Sequence, residues 1–118
     1  MTMPFRRTVG VLSCLLIQTS CTPPGKGPKA LAGFKASAAI LQGLGEYYSK
    51  NTAYPERLEL LVPAFLTPAQ LSPPTDVARY DYHRKGPGFT FGFSYHGPGI
   101  NTCTFESASR SWACSGYF

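Results

Sequence analysis

The chain has 118 residues, with eleven Lys and Arg against six Asp and Glu, and its aromatic and charged fractions are equal at 14%. That length allows one compact domain rather than several. The formal charge of +5 comes from scattered basic residues, which argues against the basic stripe of a nucleic-acid binder.

Met1 to Ser20 does not read as part of a fold. Arg6 and Arg7 give a positive start, Val9 to Ile17 (VGVLSCLLI) an apolar core, and Gln18, Thr19 and Ser20 a polar approach to Cys21. This is the layout of a secretory signal peptide. The apolar run is too short for a membrane span, which takes about 20 residues. Thr19-Ser20-Cys21 resembles the bacterial lipobox, in which small residues precede a cysteine whose thiol takes diacylglycerol and becomes the mature N-terminus. Gln18 stands where that box usually carries Leu. The resemblance implies a lipoprotein held in a membrane by diacylglycerol and palmitate-type acyl chains on Cys21. Thr22, in place of the Asp that signals inner-membrane retention, implies an outer-membrane address facing the periplasm.

Thr22 to Lys29 (TPPGKGPK) is too rich in Pro and Gly to form a packed element and reads as a tether. The expected organisation is therefore a leader over 1–20, an anchor and tether over 21–29, and a domain over 30–118. Without Arg6 and Arg7, nine basic residues face six acidic ones.

Ala30 to Lys50 has helical periodicity. Leu31, Phe34, Ala38, Leu41, Leu44 and Tyr48 recur at steps of three and four, which predicts that they share the buried face. Gly33, Gly43 and Gly45 each weaken a helix by up to about 1 kcal/mol relative to Ala, so the helix must depend on tertiary packing. Tyr54-Pro55-Glu56 opens a second, shorter helical turn buried by Leu58, Leu61 and Val62 and stopped at Pro63. Thr67 to Asp76 (TPAQLSPPTD), with three prolines, reads as a loop.

From Ala78 the period changes to two. Tyr80 and Tyr82 alternate with Arg79, Asp81 and His83; after the Arg84–Gly88 turn, Phe89, Phe91, Phe93 and Tyr95 alternate with Thr90, Gly92 and Ser94. His96–Gly99 is the next turn, and Ile100–Phe105 and Ser111–Ser115 complete the strands. Cys14 leaves with the leader, so Cys103 and Cys114 remain as an even pair in a chain sent to an oxidising compartment, which predicts a disulfide. Placing Cys103 opposite Cys114 in an antiparallel hairpin sets Phe105 opposite Trp112 and centres the turn on Ala108-Ser109. All four side chains then share one face. The predicted fold is α+β: an N-terminal amphipathic helix packed on a three- to four-stranded antiparallel meander.

The run Ala39-Ile-Leu-Gln-Gly-Leu-Gly-Glu-Tyr-Tyr48, then Tyr54-Pro55, the Leu58–Leu61 turn, Pro63-Ala-Phe-Leu66, Tyr80-Asp-Tyr82 and the closing Trp112-Ala-Cys114 resemble the globular heads of type IV pilins and type II secretion pseudopilins. The resemblance spans about Leu31 to Phe118. It implies a pilin-head-like fold and a cell-envelope setting, with the lipid in place of the family's membrane helix.

Catalytic sets are not evident. His83 and His96 are the two histidines and have no metalloprotease spacing, no Gly-x-Ser-x-Gly elbow occurs, and Gly86-Pro-Gly88-Phe-Thr-Phe-Gly92 lacks the helix and Lys-Ser/Thr of a phosphate loop. Neither a metal nor a cofactor is expected. The expected function is that of a lipid-anchored envelope protein whose non-enzymatic head contacts a protein partner, as an accessory to a secretion- or pilus-type assembly. The sheet edge and the Thr67–Asp76 loop are its candidate docking surfaces. The alternative is a periplasm-facing module that binds a small ligand or glycan through Tyr80, Tyr82 and Tyr95.

Overall fold

A computed structural model describes residues 22–117; the expected leader over 1–20, with Cys14, and Cys21, the expected anchor, lie outside the described residues. The elements in order are α1 (Pro28–Asn51), a 3-10 turn (Leu58–Leu61), a single helical turn α2 (Pro68–Leu71), and strands β1 (Arg79–Lys85), β2 (Gly88–His96), β3 (Ile100–Glu106) and β4 (Ser111–Tyr117). The strands form one four-stranded antiparallel sheet in chain order, the expected meander. One layer of helix covers one face of the sheet, giving the α+β class.

Period-two patterning fixes the sheet. Phe91, Phe93 and Tyr95 point into the core with at most 2% exposure, whereas Ser94 and Thr102 meet on the outer face, their hydroxyls 3.1 Å apart. The two-residue turn between β1 and β2 places Gly86 at φ 57, where a side chain would be strained. Between β3 and β4 the register is Cys103 to Cys114 and Phe105 to Trp112, as predicted, and the two cysteines form a disulfide.

Helix α1 differs from expectation in its buried face. Leu31 is 67% and Tyr48 44% exposed, and Ala38 is exposed too. The face against the sheet is instead Ala30, Gly33, Ser37, Ile40, Gly43 and Leu44, with Phe34 and Leu41 half-buried on its flank. The cause is the thickness of the aromatic layer beneath it. A Cβ on Gly33 would run into the Phe93 ring, and Ser37 is small enough to bury, its hydroxyl donating to the Gly33 carbonyl at 2.7 Å. Ile40 and Leu44, fully buried, supply the aliphatic contact, each contributing roughly 1.5–3 kcal/mol.

Three boundaries also move. Helix α1 begins at Pro28, two residues before the predicted Ala30, because Pro is well placed in a first helical turn. The second helical turn begins at Leu58 rather than at Pro55, which is buried with its carbonyl accepting from Tyr82. Within the expected loop over 67–76, Thr67 and Gln70 form a reciprocal capping box around Pro68. There Pro68 starts a helical turn instead of excluding one.

Residues 22–27 do not leave the domain as a loose tether. The Gly25 N–H donates to the Tyr95 hydroxyl at 2.8 Å, a Cβ on Gly25 would lie 2.8 Å from the Cys114 sulfur, and Pro24 lies beside Gly116 and Asn101. Lys29 Nζ donates to the His96 carbonyl at 2.9 Å. The chain is thus fastened to the domain from Pro24 onward, at the end of the sheet where β2 finishes.

Candidate functional site

Helix α1 runs antiparallel to β2, so its first turn meets His96 while its last turns reach Phe89 at the opposite end. A nine-residue strand spans about 30 Å, which sets the distance between the two ends of the domain. At the end remote from Thr22 there is an open groove of about 490 Å³. Phe89, 5% exposed, forms its floor. Tyr48 and Tyr54 form one wall, and Lys85 and Glu106 stand on the rim. A second recess of about 240 Å³ shares Tyr54, Phe89 and Ser107 and reaches Phe105 and Arg110.

The groove is built by aromatic packing from separate segments. Tyr54 sits 4.7 Å from Tyr48 and 4.7 Å from Phe89 between ring centroids. Ser107, in the turn after β3, accepts the Phe89 N–H on its hydroxyl at 2.8 Å and donates its own N–H to the Phe89 carbonyl at 3.0 Å. That pair of hydrogen bonds ties the β3–β4 turn to the start of β2 and fixes one wall. Apolar rings below and charged Lys85, Arg110 and Glu106 above are the chemistry of a recognition surface, with an apolar contact at the centre and a polar rim.

The residues singled out from the sequence fall elsewhere. Tyr80, Tyr82 and Tyr95 share the helix-facing side of the sheet; Tyr80 and Tyr82 line one open recess of about 240 Å³ beside Glu56 to Glu59, whereas Tyr95 lies apart, near Thr22 and Lys29. Tyr95 is 2% exposed and is spent on holding Gly25. Tyr82 is half-buried, donating to the Pro55 carbonyl at 2.6 Å. Tyr80 is also half-buried, with its hydroxyl buried and without a hydrogen-bond partner among the described residues. Burial raises the phenol pKa of Tyr80, and more strongly that of Tyr82, to about 12 against an opposing pull from Arg84.

For Tyr82 the folded pKa stands above the ordinary value of 10, so the neutral ring favours the folded state. Its contribution is full below pH 10 and is lost as the pH rises from 10 through 12. An absorbance titration of tyrosinate should accordingly show one late-ionising phenol near pH 12 that disappears in Tyr82→Phe. An unchanged titration in that variant would refute the assignment.

His83 lies 3.4 Å from Asp81 on the exposed side of β1, and His96 is exposed at the other end of the sheet. Among the described residues no cluster of three or more His, Cys, Asp or Glu could hold a metal ion, and no helix is long and apolar enough to cross a membrane. The groove residues Tyr48 and Tyr54 are prominent in sequence as the end of the long helix and the Tyr-Pro pair. Lys85, Ser107 and Arg110 carried no signal, because only the sheet register brings their turns beside those rings. No family model matches the chain, and neither curated proteins nor solved structures give a significant match.

Proposed function

We propose that this chain is a lipid-anchored protein of the bacterial cell envelope, acylated at Cys21 and lodged in the outer membrane. Its non-enzymatic, pilin-like head contacts a protein partner, as an accessory to a secretion- or pilus-type assembly. The observation that carries the reading is the polarity of the domain. The chain joins it at one end, immediately after Cys21, and the aromatic groove opens at the other. A head attached in this way turns its recognition surface away from the bilayer. The long helix followed by an antiparallel meander is the element order expected of a pilin-type head, and the Cys103–Cys114 disulfide suits an oxidising compartment.

The test is the intact mass of the protein extracted from membranes, beside Cys21→Ser. A mature chain beginning at Cys21, carrying diacylglycerol and a further acyl chain and lacking the two hydrogens removed by the disulfide, is the expected result. A chain that begins elsewhere, or that carries no lipid, overturns the anchoring. A photo-crosslinking residue at Tyr48 should capture an envelope protein that the same residue at Thr102, on the outer sheet face, does not. Equal capture at both positions removes the groove from the proposal. The groove volume and the Tyr48–Tyr54 pair also favour a second reading, a small ligand or glycan bound there. Shifts of the Tyr48 and Tyr54 ring resonances on adding envelope glycans would support it.

A further inference from the structure

We infer that the end of the domain at which the chain joins is a second contact surface, one that lies on acidic phospholipid headgroups through Lys26 and Lys29. Leu31 and Ile100 enter the interface beside them. The inference rests on the anchoring reading above for its geometry, and adds an orientation and a lipid chemistry that anchoring alone does not require.

Three observations carry it. The first is where the chain leaves the described structure. Thr22 lines one notch with Lys26, Lys29, Tyr95 and Gly97, and its methyl would lie 3.2 Å from a Cβ on Gly27. Cys21 is the next residue, about 3.8 Å further along the chain. Because residues 24–27 are fastened to the sheet, the anchor has little slack. Both ammonium groups are therefore held within roughly one Debye length of the bilayer, about 8–10 Å.

The second is charge. The stretches Thr22–Gly45 and Tyr82–Phe105 contain no Asp or Glu. Of the six acidic residues, Glu46, Glu56, Glu59 and Glu106 belong to the far half of the domain or its flank, Asp81 sits opposite Gly92 in the middle of the sheet beside His83, and Asp76 stands at the margin of this end, in the loop leading to β1. Lys29 uses one of its three donors on the His96 carbonyl, which fixes the ammonium and leaves two for a phosphate.

The third is the exposure of apolar side chains. Leu31, on the first turn of α1, is 67% exposed, and Ile100, paired with His96 at the start of β3, is 49% exposed. Aliphatic residues exposed at the same end of the domain as the lysines, Leu31 on the other flank of the first helical turn from Lys29, suit a headgroup–acyl boundary met end-on. A protein partner would be expected to meet an aromatic recess, whereas Tyr95, the ring that lines this notch, is 2% exposed and bonded to the Gly25 amide.

The acylated protein would be reconstituted into vesicles of phosphatidylcholine alone or mixed with phosphatidylglycerol. Lysine acetylation rates would then be read residue by residue by mass spectrometry. On the mixed vesicles Lys26 and Lys29 should react about fivefold or more slowly than on phosphatidylcholine, the change expected if each lysine gains contact with an anionic surface. High salt should abolish the difference, and Lys50 and Lys85 should react alike on both. The variant Leu31→Glu/Ile100→Glu, whose sites are exposed enough to leave the fold intact, should restore the reactivity of Lys26 and Lys29. Equal rates for Lys26 and Lys29 on the two vesicles, with the protein fully vesicle-bound, overturn the inference and leave the anchoring standing. A chain found without lipid overturns the anchoring instead. In that case salt-sensitive binding to phosphatidylglycerol vesicles with both lysines protected would still support the surface, and no binding would overturn it.

Discussion

Replacing Cys103 and Cys114 together by alanine should lower the unfolding free energy by about 2–3 kcal/mol, with the native sheet retained. The two residues are directly opposed across β3 and β4, eleven positions apart in sequence, so the crosslink closes a short loop and restricts the unfolded chain modestly. Retention of the sheet follows from the neighbouring pair. Phe105 and Trp112 hold the same register at 5.5 Å between centroids, and Trp112 meets Phe34 and Phe93 at 4.9 and 5.6 Å. Alanine is the informative substitute, because Cys103 is fully buried and serine would add an unpaired hydroxyl to the same measurement. A urea midpoint lowered at constant slope is the expected outcome. A midpoint unchanged in the double variant would mean that the crosslink contributes nothing to stability.

Gly33→Ala should destabilise the domain by roughly 1–3 kcal/mol although alanine is the better helix former. The methyl would occupy space taken by the Phe93 ring, and that ring is held by Phe34 and Trp112 on its other sides. Relief requires either the helix to lift from the sheet or three aromatic side chains to shift together. Gly45→Ala is the control on the same helix. Its Cβ would meet nothing within 4 Å, so only propensity acts and the domain should gain up to about 1 kcal/mol. Opposite signs at two glycines of one helix identify which face touches the sheet. Equal and stabilising effects would show that Gly33 does not sit under Phe93.

The sheet was legible because its evidence is redundant within a short span. Alternation over Phe89–Tyr95, the Gly-Pro turns and the two residue pairs of the last hairpin all demand one register. The helix was legible as a helix but not in its rotation. Spacing by threes and fours suggested Leu31, Ala38 and Tyr48 for the contact, whereas the helix is turned so that Gly33, Ser37 and Gly43 admit the layer opposite and Ile40 and Leu44 fill between them. That requirement belongs to the partner layer and is not visible in the helix itself. Tyr95 shows the same limit, since an aromatic residue on a strand reads alike whether its hydroxyl meets solvent or the Gly25 amide. The groove draws on the α1 end, Tyr54 and two turns, so it exists only once all four segments have been placed.

Pro24 against Gly116 has a consequence for how the molecule can be handled and loaded. Start and finish of the described chain emerge side by side, so a bulky fusion after β4 would compete for room with whatever holds the N-terminus. The Gly86-Pro87 and Ala108-Ser109 bends, at the other extremity, are free of both ends. An insertion there would extend outward without disturbing the attachment. Tension applied between the two termini would peel the outermost strand from its neighbour one rung at a time, and the Cys103–Cys114 bond stops that peeling partway along β4.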